Sequence, residues 1–156
     1  MNDLDQQIQA LIDGAPQDNR TPQAVVAIGP VLKGIAERLR HRQYYIVQTS
    51  DQEWLTTVLS HRTQAGRAKR VVYAYPTLAD AMRATGSLAD PRLMALPLPI
   101  VHILFQLLSL ATVDSLVFFE TPGNTEVGTE VQRQELYTLV QSRLQPLMPP
   151  PPSNLA

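Results

Sequence analysis

Leu4, Ile8, Leu11 and Ile12 recur at the spacing of one helical face, and Gly14 closes the run. The pattern predicts a short amphipathic helix over residues 2–13, followed by a polar linker, Ala15–Arg20. Thr21 reads as an N-cap with Pro22 at the first helical position. Val25, Val26, Ile28, Leu32, Ile35 and Leu39 carry a second helix. Pro30 inside it predicts a kink or break near Ile28–Gly29. The basic run Arg38, Arg40, His41 and Arg42 is expected to end this helix, where cations suit the negative end of the helix dipole.

The period then changes. Gln43–Ser50 holds Tyr44, Tyr45, Ile46, Val47 and Thr49, a strand by composition. Glu53–Arg62 fits either a helix, through Trp54, Leu55, Val58 and Leu59, or the return strand of a hairpin. The β-branched centre Thr56-Thr57-Val58 favours the hairpin. Arg70–Tyr75 is near-continuously apolar, as a central strand is. Thr77 caps a helix over Leu78–Thr85, with Asp80 in the place of the capping-box Glu. A short strand follows around Leu93–Leu96, and Pro97 and Pro99 read as the crossover into an almost wholly apolar helix, Ile100–Leu110. Ser115–Glu120 reads as a buried strand and Thr121–Gly128 as a polar loop. Thr129–Leu144 reads as a last helix, with Val131, Leu136, Leu139, Val140 and Leu144 inward.

The expected fold is α/β (α+β): a mixed sheet of about five strands with helices packed on it and two N-terminal helices in front. The chain divides into a helix and linker over 1–20, one α/β domain over 21–146, and a disordered proline-rich tail over 147–156 that contains Pro149–Pro152.

Composition narrows the chemistry. There is no cysteine, which excludes disulfides, thiolate metal sites and cysteine nucleophiles. The acidic start, Met-Asn-Asp-Leu-Asp, is not a signal peptide. The longest apolar stretch, Met94–Val113, is interrupted by Pro97, Pro99, His102, Gln106 and Ser109, so no integral membrane span is expected and a cytoplasmic location is the default. Charged residues make up 17%, a thin coat that favours partner binding. Net charge is −1, but residues 33–70 hold eight Lys/Arg against three acids, and acids predominate on both sides of them.

Two stretches therefore stand out. Arg38, Arg40, Arg42, Arg62, Arg67, Lys69 and Arg70 flank Tyr44, Tyr45 and Trp54. Cations beside aromatics can grip single-stranded nucleic acid, but the neutral whole makes another protein with an acidic surface the favoured partner and nucleic acid the lesser one. The plain alternative is a set of solvated element ends. The second stretch is Glu120, Thr121 and Asn124, at the carboxyl end of a buried strand, where open α/β sheets bind ligands. A simple Gly-Asn turn, common at strand ends without any function, is the leading account of it and a ligand or partner site the lesser one.

The three histidines lie at no metal-ligand spacing, so neither metal nor cofactor is expected. A serine triad from Ser115, His102 and Asp114 lacks a nucleophile-elbow motif. An enzyme would otherwise need convergent acids at Asp114 and Glu120.

The motifs Tyr44-Tyr45-Ile46-Val47-Gln48-Thr49, Tyr73-Ala74-Tyr75-Pro76-Thr77 and Phe118-Phe119-Glu120-Thr121-Pro122-Gly123-Asn124 resemble an uncharacterised conserved protein family of cyanobacteria. Val71–Tyr75, Asp80-Ala81, Ala95–Pro99 and Leu116–Glu120 are more loosely similar to the SseB amino-terminal domain and the Tic22-like import proteins. That likeness implies a protein-handling or scaffold role and assigns no site residue. The expected function is a non-enzymatic protein-interaction, assembly or regulatory factor. The alternative is a small-molecule or nucleotide sensor at the carboxyl edge of the sheet.

Overall fold

The computed structural model describes residues 3–15, 21–60, 68–85 and 91–144. The chain runs α1 (Asp3–Gly14), α2 (Thr21–Glu37), β1 (Gln43–Gln48), β2 (Thr57–Ser60), β3 (Ala68–Tyr75), α3 (Leu78–Thr85), β4 (Met94–Pro99), α4 (Ile100–Ser109), β5 (Ser115–Phe119), β6 (Gly128–Gln132) and α5 (Arg133–Leu144). One mixed sheet has the order β4-β1-β3-β5-β6, with β2 added to β3. The α+β fold is thus as the hydrophobic periods predict. The tail over 147–156 lies outside the described residues.

β3 and β5 are parallel and every other pairing is antiparallel. The chain leaves β3, crosses β1 through α3 to reach β4, then returns through α4 to β5. Two connections of the same hand that travel in opposite directions place their helices on opposite faces. The packing agrees. Tyr44, Ile46, Val72, Ala74, Leu116 and Phe118 point to the face covered by α1, α2, α4 and α5. Val47, Tyr75 and Phe119 point to the other face, where Ala81 of α3 meets them.

α4 is the most deeply set helix: Ile100, Val101, Ile103, Leu104 and Leu107 are all fully buried. α1 belongs to the same core. Leu4 is fully buried, and the Gln7 amide accepts from the Val101 N–H at 2.9 Å while donating to the Arg42 carbonyl at 2.9 Å. One side chain thereby satisfies an otherwise free donor in the first turn of α4.

Four details differ from the sequence reading. α2 continues through Pro30 and ends at Glu37, ahead of the basic run. Pro30 is exposed, and Val25, Ile28, Leu32 and Ala36, buried on both sides of it, hold the helix to the core. The return segment does contain a strand, but Thr57–Ser60 pairs with β3; only a single Gln48–Trp54 bridge joins the segment to β1. Pro97 and Pro99 lie within β4, opposite Tyr45 and Gln43. This strand is at the sheet's edge, where a missing N–H costs no ladder bond. The last helix starts at Arg133, because Gly128–Gln132 forms β6 against β5, and Leu139 consequently faces outward.

Gly128 permits that pairing. A Cβ there would fall 2.6 Å from the Val117 Cγ1 and 3.0 Å from the Phe118 carbonyl oxygen. Gly34, exposed in mid-α2, has open space around it. Gly128→Ala is therefore expected to destabilise the protein by about 1–3 kcal/mol, whereas Gly34→Ala stabilises it by about 0.5–1 kcal/mol. Urea denaturation of the two variants checks both signs.

Candidate functional site

Because β1 runs against β3, its start lies at the edge where β3 and β5 end. The Arg38–Arg42 segment and the Glu120–Asn124 loop, separate candidates in the sequence, meet there. The Arg40 backbone N–H donates to the Glu120 carboxylate at 3.0 Å, and its guanidinium reaches the Thr121 hydroxyl at 3.5 Å. The His41 Nε2 lies 2.7 Å from the Glu120 carbonyl. A carbonyl only accepts, so Nε2 carries the proton. The buried Tyr44 hydroxyl donates to the Glu120 carboxylate and accepts from the His41 N–H at 3.3 Å. Burial, and then the carboxylate beside it, push the Tyr44 phenol far above its ordinary pKa.

A second carboxylate, which the sequence reading treats only as a cap, organises the loop. Asp80 is 2% exposed. Its N–H donates to the Thr77 hydroxyl at 3.1 Å, the expected N-cap. Its carboxylate does not return to the cap residue's own N–H. Instead it accepts from the Thr77 hydroxyl at 2.7 Å, from Arg83 at 3.3 Å, and from the Gly123 N–H at 3.0 and 3.2 Å. Gly123 has φ +84°, a backbone conformation that favours glycine. The Asn124 side chain accepts from the Glu126 N–H at 2.9 Å, closing a turn. The signal for Asp80 was the Thr77-x-x-Asp80 spacing; its bond to a residue 43 positions away had no local signature.

The other cations are placed elsewhere. Lys69 and Arg70 begin β3, at the opposite edge. Lys69 pairs with Glu130, which also accepts from the buried Ser115 hydroxyl. Lys69 first, then Ser115, lower the Glu130 carboxyl below its usual pKa. Arg70 exchanges backbone bonds with Asp114, its N–H reaching the carboxylate at 2.8 Å and its carbonyl accepting at 2.8 Å. Arg62 and Arg67 lie outside the described residues, as does His61. The basic residues thus form no single described patch. Arg38 stands by itself at a corner between α2, β6 and α5, over a cavity of about 120 Å³.

Asp114 and Glu120 flank β5 at its two ends, about 20 Å apart at roughly 3.3 Å per residue, so they do not converge. Ser115 is spoken for by Glu130. His102 on α4 is half-buried, its Nε2 without a hydrogen-bond partner among the described residues, beside Leu11 and Phe105. Among the described residues no group of three His, Cys, Asp or Glu side chains is placed to hold a metal, and no helix is long and apolar enough to cross a membrane. No protein-family model matches the sequence, and comparison with curated proteins gives no match.

Two expectations follow. Tyr44→Phe leaves the Glu120 carboxylate and the His41 N–H each short of a partner and costs about 1–3 kcal/mol. A double-mutant cycle with Glu120→Ala should give a coupling above about 0.5 kcal/mol; additive losses refute the bond. The Glu130 pKa is lowered on folding, so its contribution is complete above the ordinary carboxylate pKa and disappears as pH falls through the folded value. Urea titrations at pH 7 should show Glu130→Gln weaker than the parent by about 1 kcal/mol or less, given its exposure. The difference should shrink as pH falls below the ordinary carboxylate range.

Proposed function

We propose that this chain is a non-enzymatic protein-interaction factor, of the assembly or regulatory kind. One observation carries the reading: Glu120 and Asp80, the carboxylates that bind the loop at the carboxyl edge of the sheet, are engaged by the protein itself. Glu120 is held by Tyr44 and Arg40, and Asp80 by Thr77, Gly123 and Arg83. Groups so engaged must break internal bonds before they meet a small ligand, and each break costs about 0.5–1.5 kcal/mol or more.

The protein also leaves large apolar side chains and cations exposed. Val58, Leu59, Leu78, Met94, Val127, Tyr137 and Leu139 are large apolar side chains left exposed. Arg38 and Arg42 are exposed with no ion pair to a described residue. Exposed apolar groups with cations beside them suit a protein partner that carries carboxylates.

The test pairs two measurements on the full chain. Affinity capture from native lysate should recover a protein partner in stoichiometric amount, at an interface that purified components reproduce. A thermal-shift screen of metabolites and nucleotides should leave the melting temperature unchanged. A metabolite that stabilises the protein by about 2.7 kcal/mol at one hundred times its Kd, with no partner recovered, would replace this reading with that of a sensor at the carboxyl edge.

A further inference from the structure

The two edges of the sheet are built differently. β4, at one edge, carries Pro97 and Pro99, and neither has an N–H to offer an incoming strand. β6, at the other, reads Gly-Thr-Glu-Val-Gln and contains neither proline nor lysine. Among the described residues it pairs with β5 along one side only, so the alternate backbone groups of its other side point away from the sheet. Four of its five residues are exposed and Val131 is half-buried.

The surroundings of β6 supply what a bare edge lacks. Thr129 and Val131 lie opposite Phe118 and Leu116, so they point to the helix-covered face. There the cavity of about 120 Å³ opens, bounded by Ile35, Leu39, Val131, Leu136 and Leu139. This volume suits one aliphatic side chain. Leu139, 49% exposed, stands at its lip. Arg38 borders the same cavity near Thr129, exposed and with no ion pair to a described residue. Of the nearby carboxylates, Glu130 is neutralised by Lys69 on the opposite face of the strand. Glu135, in the first turn of α5, borders the cavity as well, so a carboxylate on the partner must approach Arg38 from the exposed Thr129 side.

We infer that β6 is a strand-addition site for an extended segment of a partner protein, which pairs with the free side of the strand, sets an aliphatic side chain into the cavity and presents a carboxylate to Arg38. Main-chain bonds would give such a complex its affinity, and the pocket and cation its selectivity. The inference rests on the protein-interaction reading and names the surface and the chemistry of the partner.

Three synthetic probes test it on the full chain: acetyl-Glu-Val-Thr-Val-Thr-amide, its counterpart with Lys for Glu, and the Glu peptide N-methylated at alternate residues. Amide hydrogen exchange and heteronuclear NMR report the site. The Glu peptide should slow exchange within Gly128–Gln132 and shift the methyls of Leu136 and Leu139. The Lys peptide should bind about tenfold more weakly, a loss of one favourable charge contact. The N-methylated peptide should not bind. Arg38→Glu, at an exposed position that leaves the fold intact, should reverse the preference between the Glu and Lys peptides.

Equal binding of the two charged peptides, binding of the N-methylated one, or unchanged β6 amides would overturn the inference. So would concentration-dependent protection of β6 in the absence of any peptide, which assigns the edge to a second copy of the chain. A native partner that binds with the same affinity to the parent and to Arg38→Glu, and leaves β6 amides unprotected, removes this site while the protein-interaction reading stands.

Discussion

The bond between the buried Tyr44 hydroxyl and the Glu120 carboxylate sets much of the architecture. It ties the first residues of β1 to the exit of β5, across the intervening β3. Around it the chain adds the Arg40 and His41 contacts, so a turn after α2 and a loop after β5 become one unit. A phenol in that position fills two roles. Its ring packs edge-on against Phe118, centroids 4.9 Å apart, within the larger core, and its oxygen reaches the carboxylate at the sheet's rim. Phenylalanine would keep the packing and lose the tether. Asp80 does similar work from the other face, fixing the start of α3 and the same loop through Gly123. Two carboxylates thus hold one loop between two layers of helices.

This arrangement explains how far the sequence could be read. Element types were legible wherever burial is regular. The apolar run Val71–Tyr75 and the apolar helix over Ile100–Ser109 became a central strand and the deepest helix, because burial acts on most residues of each. Legibility failed where the environment changes within a few residues. Val131, Leu136 and Val140 look like one helical face, yet the first belongs to an edge strand, and Gly128 is the residue that lets that strand approach β5. Pro97 and Pro99 are breakers in isolation and are tolerated only because β4 has no neighbour on its outer side.

The candidate sites show the same limit from another side. Charge clustering along the chain did not become clustering in space, since Arg38–Arg42 and Lys69–Arg70 fall at opposite edges of a sheet whose strands run between them. The meeting of Arg40 with Glu120 depends on the antiparallel placement of β1 against β3, and no spacing in the sequence encodes that. Thr77-x-x-Asp80 did encode a cap, yet the carboxylate's partner in the loop after β5 follows only from strand order. Long-range polar bonds of this kind are specified by topology and by the cost of leaving a buried charge unsatisfied, so they become visible only once the fold is known.

The prolines of β4 have a consequence for assembly. A sheet that accepts a neighbour on both sides can grow without end, each added copy exposing a fresh edge for the next. This sheet is barred on the Pro97–Pro99 side and open on the Gly128–Gln132 side. Any pairing through Gly128–Gln132 leaves the proline-bearing β4 as the far edge of each participant. Pro97 and Pro99 thus work against a second pairing at that far edge, and with it against the addition of copy after copy.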